Sequence, residues 1–121
     1  MRKIKSLFMS DEILSWLDDI LQNTFAIEKF VENTKDYDSF LNDLKTRMAV
    51  ERAIEIIAEA LNRIKKKDES IQLTNARKII STRNKIIRGY DYISYDVIWE
   101  ISKKHIYPLR EEVEILIAEK K

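Results

Sequence analysis

The sequence predicts an all-α protein, an up-and-down bundle of about four to six helices. Only one glycine and one proline stand in 121 residues, too few turn-makers for the hairpins of a sheet-rich fold. Glu, Lys, Leu, Ile and Ala abound between them, and the apolar residues recur with the helical period. No repeat, low-complexity tract or flexible linker breaks the chain, so residues 1–121 are expected to form a single domain. A chain of this length can bury about two thirds of the surface that its unfolded form exposes.

The first helix is expected from Ser10 to about Asn33. Ser10 is a good N-cap, Asp11 and Glu12 favour the positive end of the dipole, and Ile13, Leu14, Leu17, Ile20, Leu21, Thr24 and Val31 follow at helical spacing. "TKDYDSF" reads as a connection, with Asp38 or Ser39 capping a short helical turn that carries Phe40, Leu41 and Leu44. A long helix follows in "MAVERAIEIIAEALNRI". There Val50, Ala53, Ile54, Ile57, Leu61 and Ile64 form one row, with Ala49, Ile56 and Ala60 beside it. The two rows cover roughly 200° of the helical wheel, about twice what one packing layer needs, so this helix should be buried on two sides. Its surplus apolar width points to a homodimer seam, and Glu51, Arg52, Glu55, Glu59 and Arg63 fill the remaining, solvated arc.

The lysines of "KKKDES" complement the C-terminal end of that helix dipole. A fourth helix is expected to begin near Ser70 or Thr74 and to stop at Gly89, where the left-handed cap costs glycine little. Ser94 is placed to cap a fifth, with Tyr95, Ile98 and Trp99, interrupted or kinked at Pro108. "YDYISYDVIW" is rich enough in tyrosine and isoleucine for a strand but has no partner to pair with, so it is taken as helical after Ser94.

Composition excludes several functions. The chain has no cysteine, hence no disulfide, thiolate nucleophile or cysteine-based zinc site, in keeping with a reducing, cytoplasmic location. Charges interrupt every apolar stretch before it reaches the roughly 20 residues of a membrane span. The basic start, "MRKIKSLFMSDEIL", lacks the apolar centre of an export signal. With 22 basic and 21 acidic side chains the formal charge is +1, so any anion site must be local.

Such a site is suggested by "RNKIIRGYDYI", residues 83 to 93. On the fourth helix Arg83 is flanked by Ile79 and Ile86 on one side and by Ala76, Ile80 and Ile87 on the other, at the centre of an apolar stripe. A guanidinium cannot shed its charge there; it either pairs with an acid such as Glu55 or Glu59 or opens into a cleft that holds an anion. Arg88 lies about 140° from Arg83 on an ideal helix. The cap at Gly89 turns the chain and allows Arg88 and Tyr90 to face a common side.

These residues resemble the signature of the HepT-like branch of the HEPN superfamily, small all-helical toxins in which Arg-Asn, about three residues, His, any residue and Tyr follow in order. "MSDEILSWLDDILQNTFAIEKFV", "RMAVERAIEIIAEAL" and "DYISYDVIWEISKKHIYPL" are similar to the family's first helix, long central helix and post-motif segment. The resemblance implies a homodimeric HEPN-like bundle whose motif faces an intersubunit cleft and which cleaves RNA without metal or cofactor. It implies a minimal nucleotidyltransferase as antitoxin partner, adding AMP to the tyrosine at the position of Tyr90, with Arg83 and Asn84 matching the motif's Arg and Asn. Arg88 stands where the family usually has histidine. Imidazole titrates near neutrality and can move the proton that RNA cleavage requires, whereas an arginine that stays protonated cannot accept it. His105, the chain's one histidine, lies 17 residues on and reads as a packing or exposed residue rather than a substitute. Two other readings stand beside the ribonuclease: a dimeric module that binds RNA, nucleotide or antitoxin without catalysis, and a plain dimerisation bundle whose arginines satisfy buried acids.

Overall fold

The computed structural model describes residues 10–89 and 95–120, and all of its regular structure is helical. Helix α1 spans Asp11–Val31, α2 Tyr37–Leu41, α3 Leu44–Lys67, α4 Ala76–Arg88 and α5 Tyr95–Glu100; a π-helical stretch, Ile101–His105, joins α5 to α6, Ile106–Lys120.

Four rods lie antiparallel to their neighbours. Lys67, the last residue of α3, meets Glu12 at the start of α1 at 2.9 Å. Tyr107 and Arg110 of α6 reach Glu28 and Thr24 of α1 in descending order. Thr74, just before α4, bonds Glu112, and Lys78 within it bonds Glu100 at 2.8 Å. Helix α3 is the centre, packed by α1 on one side and α4 on the other. The expected row of Val50, Ala53, Ile54, Ile57, Leu61 and Ile64 is buried throughout; of the second row Ala60 is buried, while Ala49 and Ile56 lie half buried at the margin. Short α2 delivers Phe40, fully buried, against Trp99 with ring centroids 5.1 Å apart. Among the described residues no helix is long and apolar enough to cross a membrane.

Local chemistry sets the boundaries. Ser10 caps α1 as expected, its hydroxyl accepting from the Ile13 N–H at 3.2 Å. Helix α1 ends at Val31, two residues short of Asn33. The short turn is capped by Asp36, not by Asp38 or Ser39: Asp36 has extended backbone, and its carboxylate accepts from the Ser39 N–H at 2.8 Å, a bond that holds its carboxyl below the usual range. Leu44 does not belong to that turn. Asp43 caps a new helix there, accepting from both the hydroxyl and the N–H of Thr46, so Leu44 is the first residue of α3 and stays exposed.

Neither Ser70 nor Thr74 starts α4. Ser70 is held by the Asp68 carboxylate, and Thr74 gives its N–H and hydroxyl to Glu112 of α6, so the helix begins at Ala76 after Asn75 in the left-handed region, φ 67°. Its far end matches the sequence: Gly89 is left-handed, φ 64°. The expected cap at Ser94 lies outside the described residues. The break assigned to Pro108 occurs earlier. Pro108 sits within α6, and the change of register is the preceding π-helical stretch, in which the Ile106 N–H reaches back to the Ile101 carbonyl. Proline offers no N–H to the Lys104 carbonyl and its ring crowds that oxygen, and the wider turn moves the carbonyl aside.

That stretch holds His105, half buried, its Nδ1 enclosed without a hydrogen-bond partner. Burial pushes its pKa down, Lys78 and Lys104 push the same way, and Glu100 opposes them. The folded state therefore binds its proton less readily than the unfolded chain, whose histidine titrates near pH 6.5, at about the ordinary value. Stability present above that pH is lost as pH falls toward the folded value. Urea midpoints should drop between pH 7.5 and 5.5 (about one unit either side of that value), and His105→Gln should remove most of the drop; an equal drop in the variant would assign the acid sensitivity elsewhere. Among the described residues nothing beyond its own helix lies within 4 Å of the place a Cβ would occupy at Gly89, and the left-handed backbone there is what favours glycine. Gly89→Ala should cost about 1–2 kcal/mol, read as a lower urea midpoint at unchanged slope, and an unmoved midpoint would refute that requirement.

Candidate functional site

The motif lies along the second half of α4. The buried centre of that helix is Ile79 and Thr82, with Ala76, Ile80 and Ile86 packed partly against the core and Ile87 exposed. Thr82 tolerates burial because its hydroxyl donates to the Lys78 carbonyl one turn back, at 2.9 Å. Arg83 thus stands half buried on the margin of the apolar face, one residue from where the wheel centred it.

Neither proposed acid partner reaches Arg83. Glu59 is taken by Arg63 at 2.8 Å and Glu55 by Arg52 at 3.8 Å, both on their own helix. Among the described residues no carboxylate forms an ion pair with Arg83. Its Nε is buried without an acceptor, and its Nη1 makes only a long hydrogen bond, 3.4 Å, to Oδ1 of the adjacent Asn84. The two motif residues therefore touch, and the guanidinium retains donors for an incoming acceptor. Arg88 is exposed at the last position of α4, where with Lys85 it complements the helix dipole. Tyr90 lies outside the described residues. His105 faces Lys78 and Glu100, and no hydrogen bond joins it to Arg83 or Asn84.

A second guanidinium of this kind escaped the sequence reading. Arg47, in the first turn of α3, lies over the ring of Tyr95 with its guanidinium carbon 4.7 Å from the centroid. Its Nε is likewise buried without an acceptor. The signal was present: carried back one turn from Val50, the buried row of α3 lands on Arg47. Near it Glu51 is half buried, and burial pushes its carboxyl up, with Arg47 pulling the other way and Glu55 adding to the rise.

Arg110 shows how this chain treats an arginine that only ties helices together. Its Nε donates to the Thr24 hydroxyl at 3.1 Å, its Nη2 donates to the Thr24 carbonyl at 3.0 Å and meets Glu28 at 3.0 Å, and its guanidinium stacks 4.0 Å from the Phe25 centroid.

Comparison with known proteins bears on this site. The family model described as "Ribonuclease HepT-like" matches residues 20–116. A "putative RNase" of Methanocaldococcus jannaschii is 33% identical over 87% of this chain and 96% of its own length. A second "putative RNase" of that organism is 32% identical over 98% of this chain and 94% of its own. The "probable ribonuclease HepT" of Thermococcus cleftensis is 32% identical over 84% and 92%. No solved structure matches. An all-helical bundle, the Arg-Asn motif on its fourth helix and a family match over most of the length lead to one conclusion: the chain belongs to the HepT-like ribonuclease family of HEPN proteins.

Proposed function

We propose that the protein is the toxin of a toxin–antitoxin pair, a homodimer that acts on RNA as a metal-independent endoribonuclease. Arg83 grips the scissile phosphate, Asn84 orients it, and Arg88 stabilises the charge that develops on the phosphoryl oxygens. The observation that carries this reading is Arg83 itself, a partly buried cation whose Nε has no acceptor and which, among the described residues, no carboxylate neutralises. An arginine placed only for stability would resemble Arg110. Membership of a ribonuclease family supports RNA as the substrate class. Exposed Leu44, Met48, Ile87 and Ile115 leave apolar surface for self-association.

Cleavage through the 2′-hydroxyl requires that this oxygen lose its proton as it attacks phosphorus and that the departing 5′-oxygen gain one. Arg88 cannot accept the first proton, so water must take it and turnover is slow. This substitution favours a second reading, a module that holds RNA or its antitoxin without cutting. The two separate in one assay. Purified protein should cleave single-stranded RNA slowly, lose this activity in Arg83→Ala, and gain about 10²–10⁴-fold in Arg88→His, the usual contribution of a placed general base. Binding without cleavage in both wild type and Arg88→His would establish the module instead.

The partner in this proposal is a minimal nucleotidyltransferase that neutralises the toxin by adding AMP to Tyr90. The phenol oxygen attacks the α-phosphate of ATP, pyrophosphate leaves, and the phenolic proton passes to solvent. Incubation with the cognate enzyme and ATP should add the mass of AMP, and Tyr90→Phe should abolish the gain. Labelling that persists in the variant would move the acceptor elsewhere.

A further inference from the structure

Arg47 lies outside the motif, yet shares the features that single out Arg83. Among the described residues the enclosed side-chain nitrogens lacking a hydrogen-bond partner are Nε of Arg47, Nε of Arg83 and Nδ1 of His105. Neither arginine forms an ion pair there. Half-buried Glu51, one turn beyond Arg47, senses its charge without forming an ion pair with it. The Asp43 carboxylate, one turn before, is engaged by Thr46.

The two arginines also arrive at one end of the bundle. Helix α4 runs antiparallel to α5 and α6, as the Thr74–Glu112 and Lys78–Glu100 contacts show. Five residues forward from Lys78 stands Arg83, and five residues back from Glu100 stands Tyr95, each a step of about 7.5 Å along its axis. Arg83 and Tyr95, over whose ring Arg47 lies, therefore both stand toward the end of the bundle where α4 finishes and α5 begins. A guanidinium lying over a tyrosine ring is a group that meets a phosphate through its remaining N–H groups, beside an aromatic that can take an unpaired base.

We propose that Arg47 is a second phosphate-binding residue, taking a neighbouring phosphate of the single strand whose scissile phosphate Arg83 holds. This rests on the reading of the protein as one that acts on RNA. Duplex RNA fits less well, since its bases are paired and closed to such a platform.

Binding of the full chain to a fluorescently labelled 2′-O-methyl RNA strand, which cannot be cleaved, provides the test across a range of salt. Arg47→Gln should weaken binding similarly for unrelated sequences and reduce the slope of log affinity against log salt by about 0.7, one phosphate contact on a single strand. Arg47→Lys should keep the wild-type slope, and Lys65→Gln, at the other end of α3, should leave it unchanged. An unaltered slope in Arg47→Gln overturns the inference. So does an equal loss in Arg47→Lys, which would mark the effect as lost packing on Tyr95. A smaller slope in Arg83→Gln alone removes Arg47 from the site and leaves the RNA reading standing. No effect of either Gln variant, or no binding by wild type, removes both.

Discussion

Helix α3 is buried along two faces, and the rest of the chain is arranged by that burial. Each isoleucine or leucine taken fully from water contributes about 1.5–3 kcal/mol, so the row from Val50 to Ile64 far outweighs any surface pair in this structure. Two sides of α3 need cover, which α1 and α4 supply. The connections make these neighbours antiparallel, so α4 runs back from the end of α3 in the direction of its first turns. Only a narrow arc of α3 remains for its charges. Glu55 and Glu59 lie there beside Arg52 and Arg63 at helical spacing, and these local pairs keep them from Arg83 on the neighbouring helix.

Three arginines then divide according to what surrounds them. Arg110 has a hydroxyl, a carbonyl, a carboxylate and an aromatic face, all within its own bundle. It is a structural cation, satisfied without a visitor. Arg83 has a long contact to its neighbour, and Arg47 has the ring of Tyr95. A guanidinium that cannot discharge and makes no ion pair among the described residues keeps hydrogen-bonding capacity for another acceptor. Net charge does not reveal this, because the formal +1 is a sum over the whole chain.

Much of this was legible in the sequence, and the exceptions share a cause. The Val50–Ile64 row and the Gly89 cap follow from periodicity and from one residue's backbone freedom, both local properties. The boundaries that moved were decided by partners remote in sequence or by competition between caps. Thr74 looked like a helix start, but Glu112, on another helix, claimed both its donors. Asp36 displaced Asp38 and Ser39 because its backbone was the extended one. Pro108 announced a break, yet the register change fell on the residues before it, where the obstructed carbonyl lies. At the site, the wheel brought Arg83 to the apolar face but could not tell which acids were already engaged. Arg47 was passed over because it stands at the head of an otherwise apolar row, where an arginine reads as the row's end.

For the ribonuclease proposed above, holding RNA and cutting it make separate demands, and an arginine at position 88 is suited to only one of them. At the end of α4 a fixed cation suits the negative pole of the helix. Proton transfer gains nothing, since the group that would accept a proton near neutrality is gone. The remaining imidazole, that of His105, makes no hydrogen bond to Arg83 or Asn84, and burial, with Lys78 and Lys104, pulls its pKa down against the pull of Glu100. Electrostatic grip and acid–base chemistry therefore come apart in this chain. Under the proposed function, affinity for a polyanion would follow from Arg83 and Arg47, whereas the rate of cleavage would depend on what stands at position 88.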